Sequence, residues 1–269
     1  MNKALLVGIN NYKHSYVPDL RGCLNDVANM RQVLQAHVGG FDNKNVRVLA
    51  DSRATGVGIL ERLHWLVSGA KSGDYILFHF SGHGSQVRDR DGDELTDSLD
   101  EILCPYDVDW EHHMITDDVL RDIFSRVPES ALLEVVLDCC HSGTGIRSFS
   151  LFKDPEASIA KFAPPPLDIA CRWEGENVEL KTVRHAFRTS ESHILWAGCR
   201  DKQVSYDAFI GGKYQGVLTH YMCKHIRKAP NVERATLFKR VRDSVKYNGY
   251  AQDPQLEFTG VKRMGAFGH

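Results

Sequence analysis

The sequence predicts an α/β protein: a mostly parallel sheet with helices on both faces. Three observations carry this. Apolar runs of strand length recur at residues 4–9, 46–49, 75–80 and 132–137, and they are near-continuous, as strands buried on both faces require. Between them lie stretches with apolar residues at helical spacing, 20–37 (Leu24, Val27, Ala28, Val33, Leu34) and 57–67 (Leu60, Leu63, Leu66, Val67). Strand and helix alternate at the pitch of βαβ units, whose crossovers are right-handed.

In chain order, the first run breaks at Asn10-Asn11 and the first helix closes at Gly39-Gly40. The strand 75–80 runs straight into Ser81-Gly82-His83-Gly84. Residues 88–101 are mostly acids and bases and read as a loop too polar to be buried. Residues 116–126 open with Thr116-Asp117-Asp118, an N-cap with an acidic first turn, and continue as a short helix. The strand at 132–137 ends in Asp138-Cys139-Cys140-His141-Ser142-Gly143. From 142 to 190 no periodicity persists and Pro164-Pro165-Pro166 interrupts the chain, so this stretch reads as an intersubunit linker or an active-site loop. Regular structure resumes with a strand at 193–197, a hairpin around Gly211-Gly212, helices at 216–226 and 235–247 (Leu237, Val241 and Val245 on one face) and a last strand at 256–258.

The composition is that of an ordinary globular protein: 269 residues, 42% hydrophobic, net charge −2. No basic field recruits nucleic acid or an anionic membrane, and no stretch reaches transmembrane length. The seven cysteines are odd in number and lack the paired spacing of a disulfide framework or zinc knuckle, which points to a reducing, cytoplasmic setting. The chain is expected to start directly in its first strand, with no signal peptide or prodomain. Cys104, Cys171, Cys199 and Cys223 read as small packed hydrophobes.

Two strand ends present a histidine and a cysteine. Parallel strands of one sheet end on the same edge, which is where open α/β sheets bind ligands. His83 and Cys140 can therefore converge, 57 positions apart. A thiolate at Cys140 would attack a carbonyl and His83 would protonate the leaving amine, with backbone N–H groups at Gly84 and Cys140 stabilising the oxyanion. Strand alternation turns Cys139 to the opposite face as a core residue. His79 and His141 read as structural. A zinc site of His79, His83, Cys139 and Cys140 matches no recognised ligand spacing.

A set of motifs, Leu5-Leu-Val-Gly-Ile-Asn, Leu20-Arg-Gly-Cys-Leu-Asn-Asp, Phe80-Ser-Gly-His-Gly, Ile115-Thr-Asp-Asp, Asp138-Cys-Cys-His-Ser-Gly, Cys199-Arg-Asp-Lys-Gln-Val-Ser and Gln252-Asp-Pro-Gln-Leu-Glu, resembles the caspase fold. It is most similar to the metacaspases and their bacterial relatives, the orthocaspases. The resemblance implies a three-layer caspase-like sandwich formed as one catalytic domain, residues 1–143 large-subunit-like, 144–190 a linker and 191–269 small-subunit-like. It implies a cysteine endopeptidase acting on proteins or peptides after Arg or Lys, with no organic cofactor. The implied specificity pocket is Cys23, Asp26, Ser81 and Asp138. Asp138 has its own physical rationale: a carboxylate beside a nucleophilic thiol is unwelcome unless a cationic side chain sits against it.

The resemblance also implies activation by calcium at Asp100, Asp117 and Asp118, although a further family aspartate falls near Arg147 here. Against that site, Asp117 and Asp118 equally suit a helix N-terminus. The turn at Asp89, Asp91 and Asp93 fails as an EF-hand because Glu94 stands where glycine belongs. Linker residues Arg147, Lys153, Lys161, Arg172, Lys181, Arg184 and Arg188 are candidate cut sites, for the enzyme itself or for an activating protease. The rival readings are a catalytically weak caspase-like scaffold and a thiol redox protein using Cys139 and Cys140.

Overall fold

The computed structural model describes residues 2–88, 99–141, 158–173, 193–200, 203–258 and 265–269. In chain order the elements are β1 (Lys3–Gly8), α1 (Cys23–Val33) with a π-helical turn after it (Leu34–Val38), β2 (Val46–Ala50), α2 (Gly56–Val67), β3 (Tyr75–Ser81), β4 (Gly84–Arg88), β5 (Leu99–Leu103), β6 (Ile115–Thr116), α3 (Asp117–Phe124), β7 (Leu132–Asp138), β8 (Ser158–Ala160), α4 (Leu167–Trp173), β9 (His193–Ala197), β10 (Tyr206–Ile210), β11 (Lys213–Gly216), α5 (Val217–Lys228), α6 (Arg234–Tyr247) and β12 (Gln255–Phe258).

Six strands form the central sheet in the order β12-β9-β7-β3-β1-β2. All neighbours are parallel except β12, which closes one edge antiparallel to β9. Every residue of β3 is buried, as its near-continuous apolar sequence demands of a central strand. Side chains alternate between two cores. On one face Leu5, Val7, Phe78, Phe80, Leu133 and Val135 pack with residues of α2 and α3. On the other, Ala4, Leu6, Leu77 and Val136 pack with residues of α1, α5 and α6. Helices thus cover both faces, the three-layer α/β arrangement expected.

The polar residue in the middle of β7 is Glu134. It is fully buried, yet it accepts from Tyr75 Oη (2.8 Å), Trp196 Nε1 (2.7 Å) and Arg234 Nε (2.9 Å). A buried carboxylate is tolerable when it is paired and its lone pairs are satisfied.

Two small antiparallel sheets flank the edge where β3 and β7 end: β4-β5-β6 follows directly from His83, and β11-β10-β8 rims the other side. Gly211 and Gly212, at φ of 61° and 88°, form the tight turn between β10 and β11, as paired left-handed residues do in hairpins.

The structure differs from the sequence-based expectation in several places. Pairing of residues 84–88 with 99–103 takes up both ends of the stretch read as an acidic loop, and Asp100 is 6% exposed rather than solvated. Residues 89–98 lie outside the described residues. The stretch read as an irregular linker builds β8 and α4 with an ordered segment between them, while its residues 142–157 and 174–190, Arg147 among them, also lie outside the described residues. Cys104 and Cys223 are buried as expected, but Cys171 is exposed and Cys199 half-buried. Among the described residues no helix is long and apolar enough to cross a membrane.

Candidate active site

β3 and β7 are neighbours in parallel register, Ser81 opposite Asp138. Their carboxyl ends deliver His83 and Cys140, both essentially without solvent exposure. The strand alternation of β7 continues past its end: Cys139 joins the α2 and α3 core, Cys140 the opposite one.

His83 is held at two points. Its backbone N–H donates to Tyr12 Oη at 2.7 Å, and its ring Nε2 lies 2.7 Å from the Pro18 carbonyl oxygen. A carbonyl only accepts, so the neutral ring carries its proton on Nε2 and leaves a lone pair on Nδ1. Nδ1 has no partner of ordinary hydrogen-bond geometry among the described residues, although the Lys161 backbone also acts on the ring. Burial pushes the ring down to about 4, against the pull of the Pro18 carbonyl, so His83 is neutral near pH 7.

Cys140 Sγ lies against the Ser205 backbone, in contact with its N–H and 3.5 Å from its carbonyl oxygen. The N–H groups of Cys140 and Gly84 converge: both donate, at 3.1 Å, to the carbonyl oxygen of Lys161.

The Lys161 side chain runs into a sealed acidic pocket. Its Nζ is 3.2 Å from both Asp26 Oδ2 and Asp138 Oδ1 and donates to Ser81 Oγ at 2.9 Å. Asp26 also accepts from Ser81 Oγ (2.7 Å) and the Gly216 N–H (2.9 Å). Asp138 accepts from Ser205 Oγ (2.8 Å) and the Thr219 N–H (2.9 Å). Burial raises Asp26 to about 7 against the pull of Lys161. At Asp138 the burial penalty is outweighed by Lys161, Thr219 and Ser205, which hold its carboxyl below the usual range. The two carboxylates in turn outweigh the burial of Lys161 and keep it charged.

Cys23, at the start of α1, is fully buried beside this group, its thiol pushed up by burial. Gly216 forms a pocket wall with no room for a side chain, since a Cβ there would collide with Asp138, Lys161 and Asp26.

Several residues here escape sequence reasoning. Ser205 and Thr219 bind Asp138, and Lys161, read from sequence only as one of seven candidate cut sites, occupies the pocket. Asp207 accepts the N–H groups of Arg21 (2.6 Å) and Gly22 (2.8 Å), tying β10 to the start of α1. Gln252 accepts from the Tyr206 N–H (3.1 Å) and donates to the Gly198 carbonyl (2.9 Å), bracing the rim. Two of these sit in motifs already visible in sequence, Ser205 and Gln252. Nothing local marks Lys161, Asp207 or Thr219.

On the β4-β5-β6 side, Asp100, Asp117 and Asp118 bring carboxylate oxygens within 4.8 Å of one another. Burial, then repulsion from Asp118, Glu101 and Asp100, raises Asp117 to about 8. Arg121 supplies one counter-charge, 3.6 Å from Asp117 and in contact with Asp118. Crowded hard oxygen donors of this kind fit a hard divalent cation. The cluster is tied to His83 through the backbone: β4 leaves His83, pairs with β5, and the Cys104 N–H returns to the His83 carbonyl at 3.0 Å.

Comparison with solved structures places the fold. Caspase-1 of Spodoptera frugiperda superimposes with a TM-score of 0.61 at 14% identity, covering 96% of this chain and 88% of that one. A Geobacter sulfurreducens protein matches with a TM-score of 0.69 at 21% identity over 97% and 94% of the two chains. The architecture is therefore caspase-like.

The metacaspase peptidase C14 domain model matches residues 2–148. Metacaspase-1A of Aspergillus oryzae and metacaspase-1 of Ajellomyces capsulatus are each 32% identical over 94% of this chain, covering 67% and 78% of their own lengths. The chain belongs to the metacaspase family of cysteine proteases.

Proposed function

We propose that this protein is an endopeptidase that cuts after Lys or Arg, made in a restrained form. Cys140 is the nucleophile. The neutral His83, whose Nε2–H is held by Pro18, takes the thiol proton at Nδ1 and returns it to the departing amine. The Gly84 and Cys140 N–H groups stabilise the oxyanion; preorganised donors of this kind usually contribute most to the acceleration of acyl transfer.

The observation that carries the reading is the Lys161 ammonium between Asp26 and Asp138, fully buried and bonded to Ser81. A cavity that seals two carboxylates from water needs a cation in it, and with Cys23 and Ser81 it reads a long basic side chain at the substrate position before the cut. An acidic side chain entering the same cavity would meet only like charge.

Calcium at Asp100, Asp117 and Asp118 is the proposed second control, acting through the β4–β5 pairing on the His83 backbone. A hard dication there would offset the burial and the carboxylate repulsion that together raise Asp117. Linker cleavage is the proposed first control. The substrates are proteins or peptides, and the working compartment is the cytoplasm.

The test compares wild type with Cys140→Ala on peptides ending in Lys, Arg or Asp, with and without calcium. Turnover of Lys and Arg peptides by wild type alone is expected. Equal turnover by both proteins would overturn the nucleophile, and a preference for Asp would overturn the pocket.

A further inference from the structure

Residues 158–163 lie in the active edge as a bound peptide would. β8 adds an antiparallel strand to β10, with Ser158, Ile159 and Ala160 opposite Ala208, Asp207 and Tyr206. Pairing continues as the Lys161 N–H donates to the Ser205 carbonyl at 2.9 Å. The Lys161 side chain fills the acidic pocket and its carbonyl oxygen sits on the Gly84 and Cys140 N–H groups. The far side of the next peptide bond is held too. Phe162 bridges Gly84, and the Ala163 N–H donates to the Gly84 carbonyl at 3.0 Å. Phe162 and Ala163 are 8% and 0% exposed.

We propose that residues 158–163 are a resident substrate clamped on both sides of the Lys161–Phe162 bond, so that cutting this bond leaves the site closed until β8 leaves β10. Peptides admitted afterwards add their own strand to β10 in the same register, a recognition mode in which main-chain bonds supply affinity and a pocket supplies specificity. The inference rests on the assignment of Cys140 as nucleophile.

In the self-cut, Cys140 Sγ bonds to the Lys161 carbonyl carbon and the Lys161–Phe162 C–N bond breaks. The Phe162 nitrogen leaves as an amine with the proton carried by His83. Water then hydrolyses the thioester, releasing the Lys161 carboxylate and restoring the thiol. None of the hydrogen bonds made by the β8 strand, the Lys161 ammonium or Ala163 is broken by these steps. The new amine stays beside the acyl carbon, where proximity favours resealing. A cut chain therefore stays plugged until β8 leaves β10, so linker cleavage is a first control that does not by itself open the site.

The experiment uses the full chain and an alkylating lysyl chloromethyl ketone, which needs both an open pocket and the Cys140 thiol. Wild type is expected to yield, only after denaturation, fragments ending at Lys161 and beginning at Phe162, and to label slowly whether cut or uncut. Lys161→Met should remain uncut at that bond and label at least about tenfold faster, because the competent fraction sets the apparent affinity. Lys161→Arg should be cut and label slowly, which separates loss of the plug from a folding defect. Ala163→Pro, which removes one clamp while leaving the ammonium in place, should when cut label faster than cut wild type.

Cut wild type labelling as fast as Lys161→Met overturns the two-sided clamp. So does equal labelling of Lys161→Met and wild type, or self-cutting elsewhere with Lys161–Phe162 intact. Absence of labelling in every form, or equal labelling of Cys140→Ala, overturns instead the nucleophile assignment beneath the proposal.

Discussion

The carbonyl oxygen of Lys161 accepts the backbone N–H of Cys140 at 3.1 Å. A segment that follows β7 in sequence has folded back onto the end of that strand and taken the position that the proposed mechanism assigns to a reacting carbonyl. Around this contact stand an acidic pocket, a neutral histidine and a second N–H donor, and each can be probed by itself.

Replacing the thiol separates chemistry from fold. Cys140→Ala should lower turnover of Lys- and Arg-ending peptides by about 10³-fold or more, the scale on which removal of an acyl-transfer nucleophile acts. Circular dichroism and the thermal midpoint should stay close to wild type, since a buried cysteine replaced by alanine loses only one atom of packing.

Asp138→Asn keeps the shape of the pocket and removes one charge. A charge-assisted hydrogen bond contributes about 1.5–3 kcal/mol, so kcat/KM for Lys and Arg peptides should drop by about 10- to 100-fold, measured after the resident segment is displaced. Gly216→Ala should do more, because its methyl group would enter the space shared by Asp26, Asp138 and the bound ammonium. A full rate in Gly216→Ala would mean that substrates avoid this cavity.

Asp117 sets a pH dependence with a definite sign. Burial raises its folded pKa to about 8 from an ordinary value of 3.8, so the folded state binds the extra proton. Stability from this group is fully present below about pH 4, falls as pH rises and is gone above about 8. Calcium at the proposed site would require the ionised carboxylate, so the stabilisation expected from it is greater at pH 8 than at pH 5.5. Thermal midpoints of Cys140→Ala with and without calcium at both pH values check this; a calcium shift no greater at pH 8 than at pH 5.5 would remove Asp117 from the site.

Arg234→Met tests the buried pair at the centre of the sheet. Losing the guanidinium strands Glu134, which the β7 backbone holds in the core, and breaking a buried pair in this way costs about 3–5 kcal/mol. Urea unfolding in the Cys140→Ala background measures it. Peptide preference in the parent should not change, because Glu134 and Arg234 touch neither the pocket nor His83.

Much of this architecture was readable from residue order. Apolar runs of the right length specified β1, β2, β3 and β7, and helical spacing specified α2 and α6 to within a residue or two. The alternation of β7 set Asp138 and Cys140 on one face and Cys139 on the other, because a strand's period of two is a local property of the backbone. The short flanking sheets were not legible: β6 has two residues and β8 three, too few for periodicity, and their order comes from the partners they pair with.

The occupant of the pocket belongs to tertiary structure alone. Nothing near Lys161 distinguishes it from the other basic residues of its stretch. Its significance lies in Asp26, 135 positions earlier, and in Ser81 and Asp138. Sequence by itself determined which groups could react and which way a strand would aim them. Only the folded chain decided which cation neutralises the two buried carboxylates, because that balance depends on contacts that exist once distant segments have closed over water-free space.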